Sequence, residues 1–246
     1  TLADVREFMA ELEGNYVVKA DGLMGGKGVK VSGDHLETIA DGGRWCEELL
    51  KNGQTFLIEE KLIGQEFSLM SFSDGVHLAH MPAVQDHKRA FDGDTGPNTG
   101  GMGSYSDADH SLPFLTATDI AEAEHINVAT IAALANKFSE RYKGILYGGF
   151  MATKDGVKLI EYNARFGDPE SMNVLAILES DFIGICQKIL SGTLQPTDAV
   201  FAKKATVCKY AVPEGYPNHP IKGEKIDISA IKTPDQLYFG AVNVTV

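Results

Sequence analysis

The stretch at residues 160–172, IEYNARFGDPESM, constrains the fold more than any other part of the sequence. Its first residues are typical of a β-strand, on which Glu161 and Asn163 would point to the same face because side chains alternate along a strand. A carboxylate and an amide oxygen side by side suit Mg²⁺, which keeps water and phosphate oxygens as its other ligands. The planar guanidinium of Arg165 suits a phosphate or a carboxylate. Together these residues predict a phosphoryl-transfer site, although each one alone also fits an ordinary edge strand.

A helix is predicted to follow this strand directly. Asp168 can serve as its N-cap, Pro169 as its first residue and Glu170 as an acid in its first turn. The polar groups at the end of the strand would therefore lie next to the start of a well-capped helix.

Net charge and cysteine content limit the classes of function. The chain has 246 residues, a net charge of −12 and a pI near 5.0, which argues against non-specific binding to nucleic acid or to an anionic membrane. No apolar run approaches about 18 residues, and no signal-peptide pattern opens the chain. Cys46, Cys186 and Cys208 are far apart and odd in number, which predicts reduced thiols in a cytoplasmic protein. The seven histidines lack zinc-ligand spacing, so a zinc site is not expected.

The two ends of the chain resemble cuts in a longer polypeptide. The first residue is Thr1, and Val246 ends an apparent strand, FGAVNVTV. A finished domain rarely stops within a strand, so we expect a fragment of a longer protein.

Hydrophobic spacing and turn residues predict helices that alternate with hairpins. Helices are expected at residues 5–12, 45–50, 119–138, 171–178 and 182–190. Strands are expected at residues 16–19, 29–31, 56–58, 67–72, 76–80, 147–153 and 157–162. The last four of these strands would form two hairpins, which turn at Gly75 and at Gly156, and short strands and turns are expected from Pro196 onward. Hairpins mixed with helices indicate an α+β fold rather than a doubly wound parallel sheet.

A glycine-rich loop, DGLMGGKG at residues 21–28, follows the strand that ends at Lys19. Glycines allow backbone N–H groups to approach a phosphate closely, and Lys19 and Lys27 would add positive charge. The loop matches neither a Walker A motif nor a G-x-G-x-x-G fingerprint, so a flexible surface turn is an equal alternative on this segment alone.

Two further polar segments are candidates for ligand contacts. In FLIEEKLIGQE, residues 56–66, Glu66 can accept hydrogen bonds from ribose hydroxyls, and the backbone of residues 60–62 can recognise an adenine edge. A solvated strand end is the favoured alternative for that segment alone. Residues 85–106, QDHKRAFDGDTGPNTGGMGSYS, form a long polar loop without periodicity, in which Lys88 and Arg89 can bind phosphate or carboxylate and residues 99–103 can form a backbone cradle. Disorder is the alternative there, but the segment resembles no simple spacer.

The order of four motifs resembles the phosphoribosylamine–glycine ligase family of the ATP-grasp superfamily. These motifs are VVKADGLMGGKGV, IEEKLIGQE, QDHKRAFDGDTGPNTGGMGSYS and IEYNARFGDPESM. The resemblance implies two α+β subdomains that grip ATP, with a lid subdomain at residues 1–62 and a main subdomain at 63–195. Residues 196–246 would begin a small β-rich C-terminal domain. The family's N-terminal domain and the rest of its C-terminal domain are not in this sequence.

The resemblance also implies a reaction, in which ATP and Mg²⁺, or Mn²⁺ in its place, drive the ligation of glycine to 5-phosphoribosylamine through a glycyl phosphate. It implies catalytic roles for Arg165 and Lys27 and metal ligation by Glu161 and Asn163. The residues implied to bind ATP are Lys19, Gly25, Gly26, Lys27, Gly28, Glu59, Glu60, Leu62 and Glu66. Those implied to bind the small substrates are Asp86, Lys88, Arg89, Asn98, Gly100, Gly101 and Asp168.

The sequence differs from the family's pattern at two places. The strand before the proposed metal ligands, LYGGFMAT, lacks the additional acid that many ATP-grasp enzymes place there, so Glu161 and Asn163 would be the protein's ligands. Asp107 stands where the family usually has proline, which would affect only the exit of the loop. Two alternatives remain open, which are another ATP-grasp carboxylate–amine ligase and a nucleotide-binding fragment without turnover.

Overall fold

The computed structural model describes residues 1–22 and 28–243 of the chain. The expected ATP contacts of Gly25, Gly26 and Lys27 lie outside the described residues. The chain divides into two compact units, Thr1–Tyr210 and Ala211–Val246. Within residues 1–22 and 28–243, no helix is both long enough and apolar enough to cross a membrane.

The first part of the chain forms a small sheet covered by two helices. Strand β1 (Tyr16–Ala20) lies between β2 (Val29–Val31) and β3 (Phe56–Glu60), and both pairs are antiparallel. Helices α1 (Leu2–Glu11) and α2 (Ile39–Lys51) bury Met9, Cys46 and Leu49 against Tyr16 and Val18. Helix α2 begins earlier than the predicted residue 45, because Thr38 and Asp41 form a capping box at its start.

The main sheet has four antiparallel strands in the order β11, β10, β4 and β5. Their bounds are β4 (Gly64–Ser73), β5 (Leu78–His80), β10 (Gly144–Thr153) and β11 (Gly156–Asn163). Both predicted hairpins are confirmed, since β4 pairs with β5 and β10 with β11. Gly156 has φ 101°, a conformation that favours glycine in the second turn.

Helices cover both faces of the main sheet. On one face Phe67 and Phe150 stack at 5.5 Å between ring centroids and pack with Ala123 of α3 (Ala117–Lys137). On the other face Met70 and Tyr147 pack with residues of α4 (Glu170–Leu175) and α5 (Phe182–Ser191). Helix α5 ends as predicted, with Gly192 at φ 72° as its C-cap.

Two further predicted helix starts are wrong. Helix α3 begins at Ala117 rather than at Asp119, because Thr116 is the N-cap and Asp119 is the third residue of its capping box. Helix α4 has Pro169 rather than Asp168 as its N-cap, and no side chain caps it. The carboxylate of Asp168 instead accepts a hydrogen bond from the Tyr210 hydroxyl.

The predicted loop at residues 85–106 contains four short strands. They are β6 (Gln85–Asp86), β7 (Arg89–Phe91), β8 (Thr95–Asn98) and β9 (Gly103–Ser106). Strands β7 and β8 form a separate hairpin, whereas β9 lies between β6 and β12 (Thr206–Lys209). Their shortness and their pairing with distant segments explain why no periodicity revealed them.

The first compact unit includes β12 and therefore extends past the domain boundary predicted at residues 195/196. It pairs with β9 over four residue pairs, from Thr206 with Ser106 to Lys209 with Gly103. Within residues 211–243 the structure has one 3₁₀ turn (Pro234–Gln236) and no strand. The strand expected over FGAVNVTV is therefore not formed at residues 239–243, and its last three residues lie outside the described part.

Candidate active site

One face of the main sheet gathers polar residues from three neighbouring strands, β4, β10 and β11. The register pairs Tyr147 with Asn163 and Gly149 with Glu161. It also pairs Met151 with Glu66 on the other neighbouring strand. Because side chains alternate along each strand, Glu66, Tyr147, Glu161 and Asn163 all lie on this one face. The predicted shared face of Glu161 and Asn163 is therefore confirmed, and it extends to two more strands.

A β-bulge in β11 links the small sheet to this face. The register changes from the pair Gly149 and Glu161 to the pair Phe150 and Leu159, which leaves Ile160 without a cross-strand partner. The Ile160 carbonyl instead accepts a hydrogen bond of 3.0 Å from Lys19 Nζ. Lys19, with 18% of its side chain exposed, thus contacts the residue that precedes Glu161, although the two segments are far apart in sequence.

Lys19 is also held by an acid of its own sheet. Its Nζ lies 2.6 Å from Glu59 Oε2, and β1 and β3 carry the two residues on neighbouring strands. Glu60 is exposed at the end of β3, and Leu62 is half-buried in the connection to β4. The Gly28 carbonyl accepts a hydrogen bond from the Ala20 amide, which anchors the end of the glycine-rich loop to β1.

The side chains of Glu161, Asn163 and Arg165 form a continuous hydrogen-bonded row. Asn163 Nδ2 donates to Glu161 Oε1 at 3.1 Å, and Arg165 Nη2 approaches Asn163 Oδ1 at 3.5 Å. The second Arg165 nitrogen, Nη1, donates to the Phe166 carbonyl at 2.8 Å. The row offers a carboxylate and an amide oxygen on an accessible face, and this donor set fits Mg²⁺. Residues 1–22 and 28–243 contain no cluster of three or more His, Cys, Asp or Glu side chains able to hold a metal.

Lys88 and Glu66 form an ion pair on the same face. Burial disfavours the charge on Lys88, but the carboxylates of Glu66, Asp86 and Glu161 together outweigh it and raise the pKa of Lys88 above its ordinary value. Glu66, predicted to hold ribose hydroxyls, is therefore engaged by a cation from the segment at residues 85–106. The sequence contained both residues as candidates but gave no sign that they contact each other.

A buried pair of acids lies next to this ion pair. Glu170 is 3% exposed, and its Oε1 accepts a hydrogen bond of 2.8 Å from the Tyr147 hydroxyl. Asp86 Oδ1 is buried without a hydrogen-bond partner. Burial, and after it the charge of Glu170, raises the pKa of Asp86 to about 7. Sequence reasoning missed Tyr147 altogether and treated Glu170 only as an acid in a helix turn.

The β7–β8 hairpin and the turn that follows it hold four further predicted substrate contacts, which are Arg89, Asn98, Gly100 and Gly101. Arg89 Nη1 donates to the Gly96 carbonyl at 2.9 Å, and Arg89 pairs with Asn98 across the hairpin. Gly100 has open space where a side chain would be, whereas a Cβ on Gly101 would lie 2.8 Å from Pro169 Cδ. The turn therefore packs against the segment that follows Arg165.

Comparison with known proteins identifies the family. The sequence profile described as "Phosphoribosylglycinamide synthetase, ATP-grasp (A) domain" matches residues 1–171. The chain belongs to the phosphoribosylglycinamide synthetase ATP-grasp domain family. The four motifs that carried the resemblance begin within this match.

Named relatives agree with this family. The chain is 55% identical to the phosphoribosylamine–glycine ligase of Methanocorpusculum labreanum over 93% of its own length and 52% of the relative. It is 49% identical to the ligase of Methanothermobacter thermautotrophicus over 98% of its own length and 56% of the relative. The chain thus spans about half the length of the curated relatives it matches.

Solved structures confirm the α+β ATP-grasp fold. The phosphoribosylamine–glycine ligase of Thermotoga maritima aligns with a TM-score of 0.76 and 33% identity, over 91% of this chain and 56% of that one. The N5-carboxyaminoimidazole synthase of Aspergillus clavatus aligns with a TM-score of 0.61 at 11% identity, over 87% of this chain and 50% of that one, which shows a shared fold alone.

Proposed function

We propose that this chain is the nucleotide-binding and phosphoryl-transfer part of an enzyme that ligates glycine to 5-phosphoribosylamine with ATP. The observation that carries the proposal is the contact of Lys19 with the bulged Ile160 carbonyl, beside the row of Glu161, Asn163 and Arg165. This contact places the Lys19 ammonium group of the small sheet near the oxygen ligands and the guanidinium of the main sheet. The chain also belongs to this ligase family.

The nucleotide would lie between the two sheets. Lys19 would bind its phosphates, together with Lys27 and the backbone of Gly25, Gly26 and Gly28. The adenine and ribose would lie along Glu59, Glu60, Leu62 and Glu66. Because Lys19 and Glu66 are already held by Glu59 and Lys88, nucleotide binding would exchange these contacts for contacts with ATP.

Glu161 and Asn163 would hold Mg²⁺, and Mn²⁺ has a similar preference for oxygen ligands. Bound there, the ion would neutralise charge on the phosphate oxygens. Arg165 would stabilise the transferring phosphoryl group through its planar fork. These residues position and neutralise groups, and the chemistry needs no covalent enzyme intermediate.

The reaction would proceed in two transfers. A glycine carboxylate oxygen attacks the γ-phosphorus of ATP, ADP leaves, and glycyl phosphate forms. The amine of 5-phosphoribosylamine then attacks the acyl carbon, phosphate leaves, and the nitrogen loses a proton to give glycinamide ribonucleotide. Asp86, Lys88, Arg89, Asn98, Gly100, Gly101 and Asp168 would organise these small substrates away from water.

The test measures ADP release by the complete protein that the reading frame encodes. The assay contains glycine and freshly made phosphoribosylamine, with alanine and other acids in parallel. Release that requires glycine supports the proposal, whereas release that ignores glycine and needs another acid indicates a different ATP-grasp ligase. ATP binding without release under any of these conditions indicates a nucleotide-binding protein without turnover.

We also propose that the protein acts in the cytoplasm on small molecules, without nucleic acid or membrane partners, and together with an N-terminal domain of the same polypeptide. The three cysteines form no disulfide in the structure. Free thiols and a net charge of −12 support this location and these partners.

A further inference from the structure

The helix-covered side of the small sheet has a cavity that the proposed function does not use. It has a volume of about 460 Å³ and is lined by residues of β2, of α2 and of the connection between them. Lys30 of β2 pairs with the buried Val18 of β1, whereas Lys19 pairs with Val29. Because side chains alternate along a strand, Lys30 lies on the face that packs against the helices, and Lys19 lies on the opposite face. The cavity is therefore separate from the proposed phosphate contact of Lys19.

One wall of this cavity is an indole that a lysine of the same chain covers. Trp45 of α2 lines the cavity, and Lys30 Nζ lies 3.7 Å from the centroid of its ring. Trp45 Nε1 is buried and, within residues 1–22 and 28–243, donates to no acceptor. Buried donors are nearly always paired, so this N–H lacks an acceptor that a ligand would supply.

Three further side chains bring hydrogen-bond donors to the same cavity. Lys30 forms no ion pair among the described residues, and its ammonium group contacts the indole instead. His35 Nδ1 accepts a hydrogen bond of 3.2 Å from the Val31 amide, which leaves the proton of the neutral ring on Nε2. Arg44 donates to Asp41 through Nη2 and keeps further N–H donors. This set of donors suits an anionic group such as a phosphate.

The acids that line the cavity leave these donors available. Asp41 accepts hydrogen bonds from Arg44 and from the amide and hydroxyl of Thr38, the last two at 2.9 and 2.6 Å. Glu37 and Glu48 also line the cavity, and both are exposed. Their carboxylates would accept hydrogen bonds from hydroxyl or amino groups of a ligand. The cavity thus offers contacts for an anion, for an aromatic ring and for polar substituents.

We propose that this cavity binds a small ligand in which a planar aromatic ring carries an anionic group, as in a nucleoside monophosphate. Lys30 would leave the indole and bind the anionic group together with Arg44, and the ring of the ligand would stack on Trp45 in its place. An acceptor atom of the ligand would pair with Trp45 Nε1. A volume of about 460 Å³ lies within the range of about 300–1,000 Å³ that small-molecule sites have, whereas a phosphate alone would leave most of it empty.

The fluorescence of Trp45 reports on this cavity directly, because Trp45 is the only tryptophan of the chain. Guanosine monophosphate titrated into this chain should quench the emission, since a stacked base would contact the indole. Guanosine and inorganic phosphate are the two halves of this probe. Each half should require a concentration at least about tenfold higher for the same response, the scale for losing one charged contact.

Two lysines on opposite faces of the small sheet provide the matched comparison. Lys30→Met keeps an apolar stem over the indole and should raise the dissociation constant of guanosine monophosphate about tenfold or more, because it removes the ammonium group. Lys19→Met should leave this constant within about twofold, and so should Lys51→Met, at an exposed lysine that ends α2. If Lys30→Met fails to fold, Arg44→Gln provides the same comparison.

Nuclear magnetic resonance gives a second measurement at the same residue. The indole N–H of Trp45 gives a single signal in a proton–nitrogen correlation spectrum of this chain, because there is no other tryptophan. Guanosine monophosphate should shift this signal with the dissociation constant that fluorescence gives, because Trp45 Nε1 gains an acceptor.

Three outcomes would overturn the inference. They are no quenching at millimolar guanosine monophosphate, an equal response to phosphate alone, and a response that Lys19→Met removes but Lys30→Met keeps. The last of these would show that the indole senses binding at the opposite face of the sheet. None of these measurements depends on glycine-dependent ADP release, so the inference and the proposed function can fail separately.

Discussion

At the scale of single residues, the proposed site depends on a few side chains whose charges face one another. Lys19 lies between Glu59 and the Ile160 carbonyl, and Lys88 lies on Glu66. A bound phosphate would therefore compete with the carboxylate that holds each lysine.

Glu161→Gln should weaken Mg·ATP binding to this chain much more than metal-free ATP binding. The substitution keeps the size of the side chain and its contact with Asn163 but removes the charge that an oxygen-ligated cation needs. Calorimetry with and without Mg²⁺ measures both affinities, and Glu179→Gln serves as the control. Equal losses in the two titrations would be incompatible with metal binding at Glu161.

Arg165→Lys in the complete protein should reduce turnover by about two orders of magnitude or more, the scale for losing one transition-state contact. Lysine keeps the charge but cannot form the bidentate fork of a guanidinium. The glycine-dependent ADP assay measures the rate, and the exposed Arg141→Lys should leave it near the wild-type value. A rate within a few-fold of wild type would show that Arg165 is not required at the transferring group.

Ionisation of Asp86 should lower the free energy of unfolding as the pH rises from about 4 to about 7. Its pKa is raised from 3.8 to about 7 in the folded state, so the folded protein holds a proton that the unfolded chain has released within this window. The charged groups that face it are Glu170, Lys88 and Glu66. Urea unfolding at pH 5 and pH 8 should show a smaller difference in free energy for Asp86→Asn than for wild type.

The matched control for this pH experiment is Asp92→Asn, an exposed acid in the β7–β8 connection. Its pH dependence should equal that of the wild type. The same pH dependence in Asp86→Asn as in the wild type would contradict a raised pKa at Asp86.

At the scale of elements, capping boxes determine where the helices begin. Thr116 Oγ1 accepts from the Asp119 amide at 3.2 Å, and Asp119 accepts from the Thr116 amide at 2.7 Å. The same arrangement at Thr38 and Asp41 starts α2. These reciprocal bonds satisfy backbone donors that the helix itself leaves free, and they set the first residue of each helix.

Thr116→Ala should lower the free energy of unfolding by about 1 kcal/mol, because it removes one side of this capping box. Thr118→Ala, on the exposed surface of the first turn of α3, should change it by a few tenths of a kcal/mol at most. Chemical unfolding of both variants measures the difference. If the two substitutions cost the same, the capping box does not contribute as the structure indicates.

At the scale of the whole chain, β12 closes the first compact unit. The buried Asn173 of α4 donates at 3.2 Å both to the Ser104 carbonyl of β9 and to the Thr206 carbonyl of β12. The strand therefore joins a helix and a sheet that lie far before it in the sequence. This pairing explains why the compact unit runs to Tyr210 rather than to residue 195.

A chain of residues 1–210 should unfold at nearly the same temperature as the first compact unit of the whole chain. A chain of residues 1–195 should unfold at least about 4 °C lower, because it lacks β12 and leaves the Asn173 amide short of acceptors. Calorimetric melting of the three chains makes the comparison. Identical midpoints for the two shortened chains would instead favour the boundary predicted at residues 195/196.

The sequence by itself determined the features that depend on nearby residues. The spacing of Glu161 and Asn163 fixed their common face, and Gly156 and Gly192 marked a turn and a helix end, because strand alternation and backbone conformation are local properties. The order of the motifs was sufficient to indicate the family.

Only the tertiary structure decided the contacts that build the candidate site. The pairs Lys19 with Ile160, Lys88 with Glu66 and Tyr147 with Glu170 join different elements. The bulge that exposes the Ile160 carbonyl and the pairing of β9 with β12 arise from strand register. Such contacts depend on how distant segments pack. Local hydrophobic spacing predicts helices and strands but does not show which distant residue a side chain will contact.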